Sequence, residues 1–212
     1  MPSPPSYPFT ESRPTALLLI DFQTGLSHPT HFGPVRSNAH IAASTALLLS
    51  AARAHNLHII HVIHHSLIPG SPLEPTHPGV AFEPYAQPLE GEPVMIKHVN
   101  SAFVGTDLEA WLRAREIRRL VVAGLTTDHC VSTSVRMAAN LGVCDYEVEG
   151  KGAEEGVAVE KGEIILVGDA TAAHAKGGFE AESVQGVSLA SLDGEFARVV
   201  GVAEVLGEME AW

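Results

Sequence analysis

The chain has 212 residues, 45% of them hydrophobic and 18% charged, a composition that supports a packed globular core and excludes a disordered chain. Its formal net charge of −12 and pI of about 5.4 exclude a general affinity for nucleic acid, because an acidic surface repels phosphate. The longest apolar runs, such as residues 16–20, are too short to cross a bilayer, so no membrane association is expected.

Residues 1–14 are rich in Pro and Ser and lack the basic and apolar regions of a secretory signal, so they read as an N-terminal arm ahead of a single domain, 15–212. Strand one is the apolar run 15–21, which ends in Asp21. Residues 35–55 are rich in Ala and Leu at helical spacing. Strand two is the β-branched run 57–64, and strand three the short run 93–97, ending in Lys97. Residues 106–115 read as a helix, with Thr106 as N-cap and Glu109 completing a capping box. Strand four spans 117–123, followed by a helix over 128–141 that Gly142 terminates. Strand five covers 163–167, then come a helix at 181–192, strand six at 196–200 and a closing helix at 202–209.

Strands that alternate with helices predict an α/β fold with a parallel sheet covered on both faces and right-handed crossovers. Two stretches break the rhythm. Residues 66–93 are Pro-rich and too long for an ordinary connection, which suits a lid over a site. Residues 145–162, rich in Glu, Gly and Lys, read as a surface insertion or hairpin without a catalytic role. Strand one is not followed by Gly-x-Gly-x-x-Gly, which excludes a dinucleotide site of that type.

In an open parallel sheet, ligands bind beyond the carboxyl ends of the strands. Asp21, Lys97 and Cys130 all fall there, after strands one, three and four. Taken singly each has a plain structural reading: a turn Asp, a surface Lys, a small buried thiol. Their shared edge favours chemistry. Cys130 follows a strand, a sharp turn and the start of a helix, where unpaired N–H groups and the helix dipole are expected to lower a thiol pKa. Asp21 would take the thiol proton and later deliver it to a leaving amine, and Lys97 between the two would favour both anions. Backbone N–H groups of Thr126 and Cys130 are the candidates for an oxyanion hole. With only one other cysteine, Cys144, a disulfide scaffold is not indicated and a reducing, cytoplasmic setting is expected.

Three motifs carry a likeness to a known family: Leu19-Ile20-Asp21-Phe22-Gln23, Lys97-His98-Val99-Asn100-Ser101-Ala102-Phe103, and Gly124-Leu125-Thr126-Thr127-Asp128-His129-Cys130-Val131. From Thr15 to about Val200 the chain resembles the isochorismatase-like cysteine hydrolases, which include nicotinamidases and N-carbamoylsarcosine amidases. The resemblance implies a Rossmann-like three-layer α/β/α fold on a mostly parallel six-stranded sheet. It implies an Asp–Lys–Cys triad at Asp21, Lys97 and Cys130, and a non-proline cis peptide at Leu125–Thr126. It also implies a homo-oligomer, a dimer or tetramer.

Phe22, Gln23 and Phe103 adjoin these positions and are expected to wall the substrate pocket, with His65 touching substrate. The run from His58 to His65 is crowded with imidazoles, and His28, His31 and His77 lie in nearby loops. His61 and His65 share a strand face, which is compatible with metal ligation. Nicotinamidases of the resembled family bind a metal through an Asp-x-His pattern. Here His64-His65-Ser66 stands at that place without the acid, so no metal and no cofactor are expected. His129 reads as structural support. The reading is a hydrolase that cleaves a C–N bond of a small amide, ureide or carbamoyl compound through a thioester. Its rivals are vinyl-ether hydrolysis, whose family members lack the cysteine, and a non-catalytic small-molecule binding protein, which needs no reactive thiol.

Overall fold

The computed structural model describes residues 13–28, 32–33, 35–149 and 157–210. His31 and all but the last two residues of the expected N-terminal arm lie outside them. In chain order the elements are β1 (Thr15–Ile20), α1 (Ile41–Ala54), β2 (His58–His64), β3 (Val94–Lys97), α2 (Leu108–Ala114), β4 (Arg119–Leu125), α3 (Ser132–Leu141), β5 (Tyr146–Glu149), β6 (Val157–Glu160), β7 (Glu163–Ala172), α4 (Ala181–Ala190), β8 (Arg198–Val200) and α5 (Val202–Glu210).

Six strands form one sheet in the order β3-β2-β1-β4-β7-β8, and each neighbouring pair is parallel. The central strands β1 and β4 are buried along their whole length, which is why they read as continuous apolar runs rather than as alternating ones. Alternate residues still serve opposite faces. Leu17 and Leu19 pack with Leu48 of α1 and Val205 and Met209 of α5. Ala16, Leu18 and Ile20 pack with Leu108 and Leu112 of α2 and Val135 and Ala138 of α3. Burying each Leu or Ile contributes about 1.5–3 kcal/mol.

Several boundaries differ from expectation. α1 begins at Ile41 rather than Val35, because the segment before it is tied to the end of β7. Asn38, at φ 54°, donates through Nδ2 to Asp169 O (2.6 Å) and Thr171 O (2.9 Å), and Ser37 N–H donates to Ala173 O (2.9 Å). The capping box at Thr106 does not form. Thr106 Oγ1 donates to Ala102 O (2.5 Å), Glu109 pairs with Arg113, and α2 begins at Leu108. β4 and β7 run further than expected, to Leu125 and Ala172, and a register shift lies between Val122 and Gly124. A Cβ on Gly124 would stand 2.4 Å from Ile20 O, so glycine is what allows β1 and β4 to approach there. Such irregularities re-aim a strand end next to a site.

The insertion at 145–162 contains an antiparallel β5–β6 pair. The segment 66–93 carries two short 3-10 turns, Pro78–Val80 and Pro84–Ala86, and is fastened to the chain after β1 by Thr24 N–H to Ala81 O (2.9 Å) and Glu83 N–H to Phe22 O (2.8 Å).

The strand order reverses between β1 and β4. From β1 the chain proceeds outward through β2 and β3, and from β4 outward through β7 and β8. A crevice therefore opens beyond the carboxyl ends of β1 and β4, the place where open α/β sheets bind ligands.

Candidate active site

Asp21 follows β1 in the left-handed region, φ 54°, a conformation that Asp tolerates better than most residues. Its N–H still donates to Val62 O (2.8 Å), so the strand pairing holds while the side chain turns over the crevice. Lys97 is the last residue of β3 and pairs in register with His64, the last residue of β2. β4 ends in the cis peptide Leu125–Thr126. A π-type turn, Thr127–Val131, then carries Cys130 ahead of α3. The N–H groups of His129 and Val131 both donate to Thr126 O, at 3.1 and 3.2 Å.

These elements bring Asp21, Lys97 and Cys130 together. Lys97 Nζ donates to Asp21 Oδ2 (2.7 Å), Val99 O (3.2 Å) and Cys130 Sγ (3.3 Å), and His64 Nδ1 stands 3.3 Å from it. Lys97 and Asp21 are both sealed from water. Burial pushes the Asp21 carboxyl above its usual range, and Lys97 opposes that shift. Burial, and then the Asp21 charge, push the Cys130 thiol up to about 12, against the pull of Lys97. The expected lowering by a helix N-terminus is therefore corrected. Cys130 lies within a π turn, buried beside a carboxylate, and the resting sulfur is a neutral thiol in hydrogen-bond reach of Asp21.

A second set of contacts fixes the turn. Ser134 Oγ donates to Cys130 O (2.6 Å) and accepts from Ala102 N–H (2.9 Å), joining α3 to the loop after β3. Thr127 Oγ1 donates to Gln185 Oε1 of α4 (2.5 Å). Asp128 pairs with Lys176, and His129 Nε2 lies 3.4 Å from the Lys176 ammonium at the rim. Asp169 accepts from Val202 N–H at the start of α5 (2.8 Å), a structural contact.

Cys130 opens onto a cavity of about 600 Å3. Its apolar wall is Leu26, Phe32, Ile68 and Leu73, and its polar wall includes His64, Ser66, Ser71, Asn100, His174 and Lys176. The four residues expected as pocket walls stand elsewhere. Phe22 packs edge-on against Tyr85 in the core, with ring centroids 5.9 Å apart. Phe103 belongs to the core on the opposite face. Gln23 is fully buried beneath the site, where its amide holds the backbone of His64 (His64 N–H to Oε1 2.8 Å, Nε2 to His64 O 3.1 Å). His65 is off the cavity, and its carbonyl accepts from His98 Nδ1 (2.8 Å). The imidazole on the cavity is His64. The signal for it was in the sequence: it closes strand two as Lys97 closes strand three. Phe32, His174 and Lys176 come from distant segments, and no local pattern marks them.

Of the other histidines, His61 Nε2 pairs with Glu92 Oε2 at 2.9 Å, and His77 Nδ1 accepts from Gly79 N–H. Among the described residues no three His, Cys, Asp or Glu side chains are grouped to hold a metal ion, and no helix is long and apolar enough to cross a membrane.

An isochorismatase domain model matches residues 15–204. The chain is 31% identical over 198 residues to the uncharacterized isochorismatase family protein YrdC of Bacillus subtilis, covering 91% of this chain and 95% of that one. A crystal structure of a hydrolase of the isochorismatase family from Chromobacterium violaceum superposes with a TM-score of 0.83 at 37% identity, over 99% of this chain and 100% of the other. A cysteine hydrolase from Pseudomonas syringae gives a TM-score of 0.77 at 26% identity, over 100% and 99%.

Proposed function

Because the chain belongs to the isochorismatase family of hydrolases, we propose that it is a cysteine hydrolase that cleaves the C–N bond of a small amide, ureide or carbamoyl compound. The observation that carries this reading is the position of Lys97 Nζ, 2.7 Å from the Asp21 carboxylate and 3.3 Å from the Cys130 sulfur. A binding site needs no buried ammonium between a carboxylate and a thiol. The cavity size suits a small molecule, within the roughly 300–1,000 Å3 of ordinary ligand pockets.

The chemistry follows from the charges. A thiol held up to about 12 does not rest as a thiolate, so its proton passes to Asp21 as the sulfur attacks the substrate carbonyl. A carboxyl raised by burial is a stronger base than a free one. The S–C bond forms, the carbonyl electrons move to oxygen, and Lys97 offsets the charge gathering on the sulfur. Backbone N–H groups of Thr126 and Cys130 are assigned to the oxyanion, each donor contributing about 3 kcal/mol of barrier lowering. The tetrahedral species collapses, the C–N bond breaks, and Asp21 returns its proton to the departing nitrogen. Water then attacks the thioester, Asp21 takes a water proton, and that proton restores the thiol as the acid leaves.

The test is ammonia release across a panel of small amides, ureides and carbamoyl compounds, with Cys130→Ser as the blank. Turnover by the wild type that is lost in a normally folded Cys130→Ser protein is expected. Equal turnover by the two proteins would end the reading.

A further inference from the structure

We infer that Gln185, on α4, is a positioning residue for the hydrolytic reaction: through Thr127 it ties the turn that carries Cys130 to the irregular end of β7, and so sets the N–H groups assigned to the oxyanion. The inference rests on the hydrolase reading above and adds to it a residue that does not touch the cavity.

β7 is irregular where it passes the site. Leu166 pairs with Val122 and Thr171 with Gly124, so residues 167–170 stand opposite Ala123 alone. Gln185 meets the ends of this excess from α4. Its Nε2 donates to Gly168 O (3.1 Å), Thr171 O (3.3 Å) and Thr171 Oγ1 (2.9 Å), and the Thr171 hydroxyl donates to Gly168 O (2.8 Å). Asn38 Nδ2 holds Asp169 O and Thr171 O in the same stretch.

The orientation of the Gln185 amide follows from its partners. Two backbone carbonyls can only accept, so the nitrogen faces β7 and Oε1 faces Thr127. An amide oxygen cannot donate, so the Thr127 hydroxyl gives its proton to Oε1, at 2.5 Å. Thr127 and Thr171 are fully buried and Gln185 is nearly so, and a buried bridge of this kind is costly to leave half made.

Thr127 opens the turn. Beside it stands Thr126, whose N–H is assigned to the oxyanion and whose carbonyl accepts from the N–H groups of His129 and Val131. The far end of the turn has its own anchors, Ser134 Oγ on Cys130 O and Lys97 Nζ on Cys130 Sγ. Cutting the Gln185 bridge therefore frees the Thr126–Thr127 corner and leaves the sulfur in place. Oxyanion donors act at about 2.7–3.1 Å from the developing charge, and a displacement of about 1 Å costs roughly a hundredfold in rate.

On an amide that the wild type turns over, Gln185→Leu should lower kcat by about tenfold to a hundredfold and leave KM within about twofold. Alkylation of Cys130 by iodoacetamide builds no oxyanion and should keep its wild-type rate. Thr127→Val should behave like Gln185→Leu, and the double variant should be no slower than either, because both cut one bridge. In Gln185→Glu a carboxylate can accept from Thr127 but cannot donate to β7, whereas the protonated acid can do both. Its kcat relative to wild type should be higher at pH 5 than at pH 8. A kcat within twofold of wild type in Gln185→Leu, alkylation that slows in parallel with kcat, or losses that multiply in the double variant would overturn the inference. Absence of turnover in the wild type would sink the hydrolase reading on its own, and amide hydrogen exchange then decides the tether. The His129 and Val131 N–H groups should exchange about tenfold faster in Gln185→Leu, with those of β1 and β4 unchanged. Wild-type exchange at His129 and Val131 would refute it.

Discussion

Lys97 and Asp21 form an ion pair with Nζ 2.7 Å from Oδ2, and water reaches neither side chain. A pair this deep is costly to break from one side, because the survivor is a buried charge without compensation. Lys97→Met should lower stability to urea by about 3–5 kcal/mol, and Lys97→Met with Asp21→Leu should regain most of that loss. Both proteins should lose turnover. A double variant no more stable than Lys97→Met would show that the pair is not what carries the cost.

The Cys130 thiol, pushed up to about 12 by burial and by Asp21, is protonated at rest. Its alkylation by iodoacetamide should keep accelerating from pH 7 to pH 9 with no plateau. A plateau with a midpoint below neutral pH would mean a resting thiolate. Cys144, 2% exposed, is buried in the core and should stay unlabelled until the protein unfolds.

Glu92 offers a pH signature away from the site. Burial pushes its carboxyl up, but hydrogen bonds from Arg53, from Leu89 N–H and from His61 outweigh that and hold it at about 2. A carboxyl with a lowered folded pKa stabilises the fold above its unfolded pKa, 4.5, and that contribution is lost as pH falls toward about 2. Urea midpoints should decline through this window, and Glu92→Gln should flatten the decline.

Gln23 makes three contacts through its buried amide, two with the His64 backbone and one with Val80 O (3.2 Å). Gln23→Ala leaves those backbone groups unpaired and should cost about 1–3 kcal/mol by denaturant titration. Its KM should rise even though the side chain is not on the cavity. An unchanged KM would show that the clamp does not position His64.

Gly124 is the point of closest approach between β1 and β4. Gly124→Ala puts a methyl 2.4 Å from Ile20 O, which only a backbone shift can relieve. A loss of about 1–3 kcal/mol is expected, read as a lower melting temperature. Turnover should fall with it, since Asp21 and Thr126 lie one and two residues beyond the strained contact.

The strands, their parallel pairing and the placement of Asp21, Lys97 and Cys130 at one sheet edge were legible in the residues alone. Runs such as Leu17-Leu18-Leu19-Ile20 and Leu120-Val121-Val122-Ala123 are buried on both faces, and only a covered parallel sheet does that. A polar residue at the end of such a run marks the edge where ligands bind, and that rule needs no coordinates. The same rule applied to strand two points to His64, although sequence reading favoured its neighbour His65.

Other features belonged to the assembled chain. Helix α1 starts late because Asn38 reaches the end of β7, more than a hundred residues away. Phe22 and Phe103 adjoin Asp21 and the loop after Lys97 in sequence yet turn into separate cores, while Phe32, His174 and Lys176 converge on the cavity from elsewhere. The charge state of Cys130 was the largest reversal. A local helix terminus argued for a thiolate, and the enclosing protein, through desolvation and the Asp21 carboxylate that follows β1, makes it a thiol. Periodicity is a property of neighbours along the chain, so it can be read there. Burial and Coulombic interaction are properties of neighbours in space, so they exist only once the sheet has closed around the site.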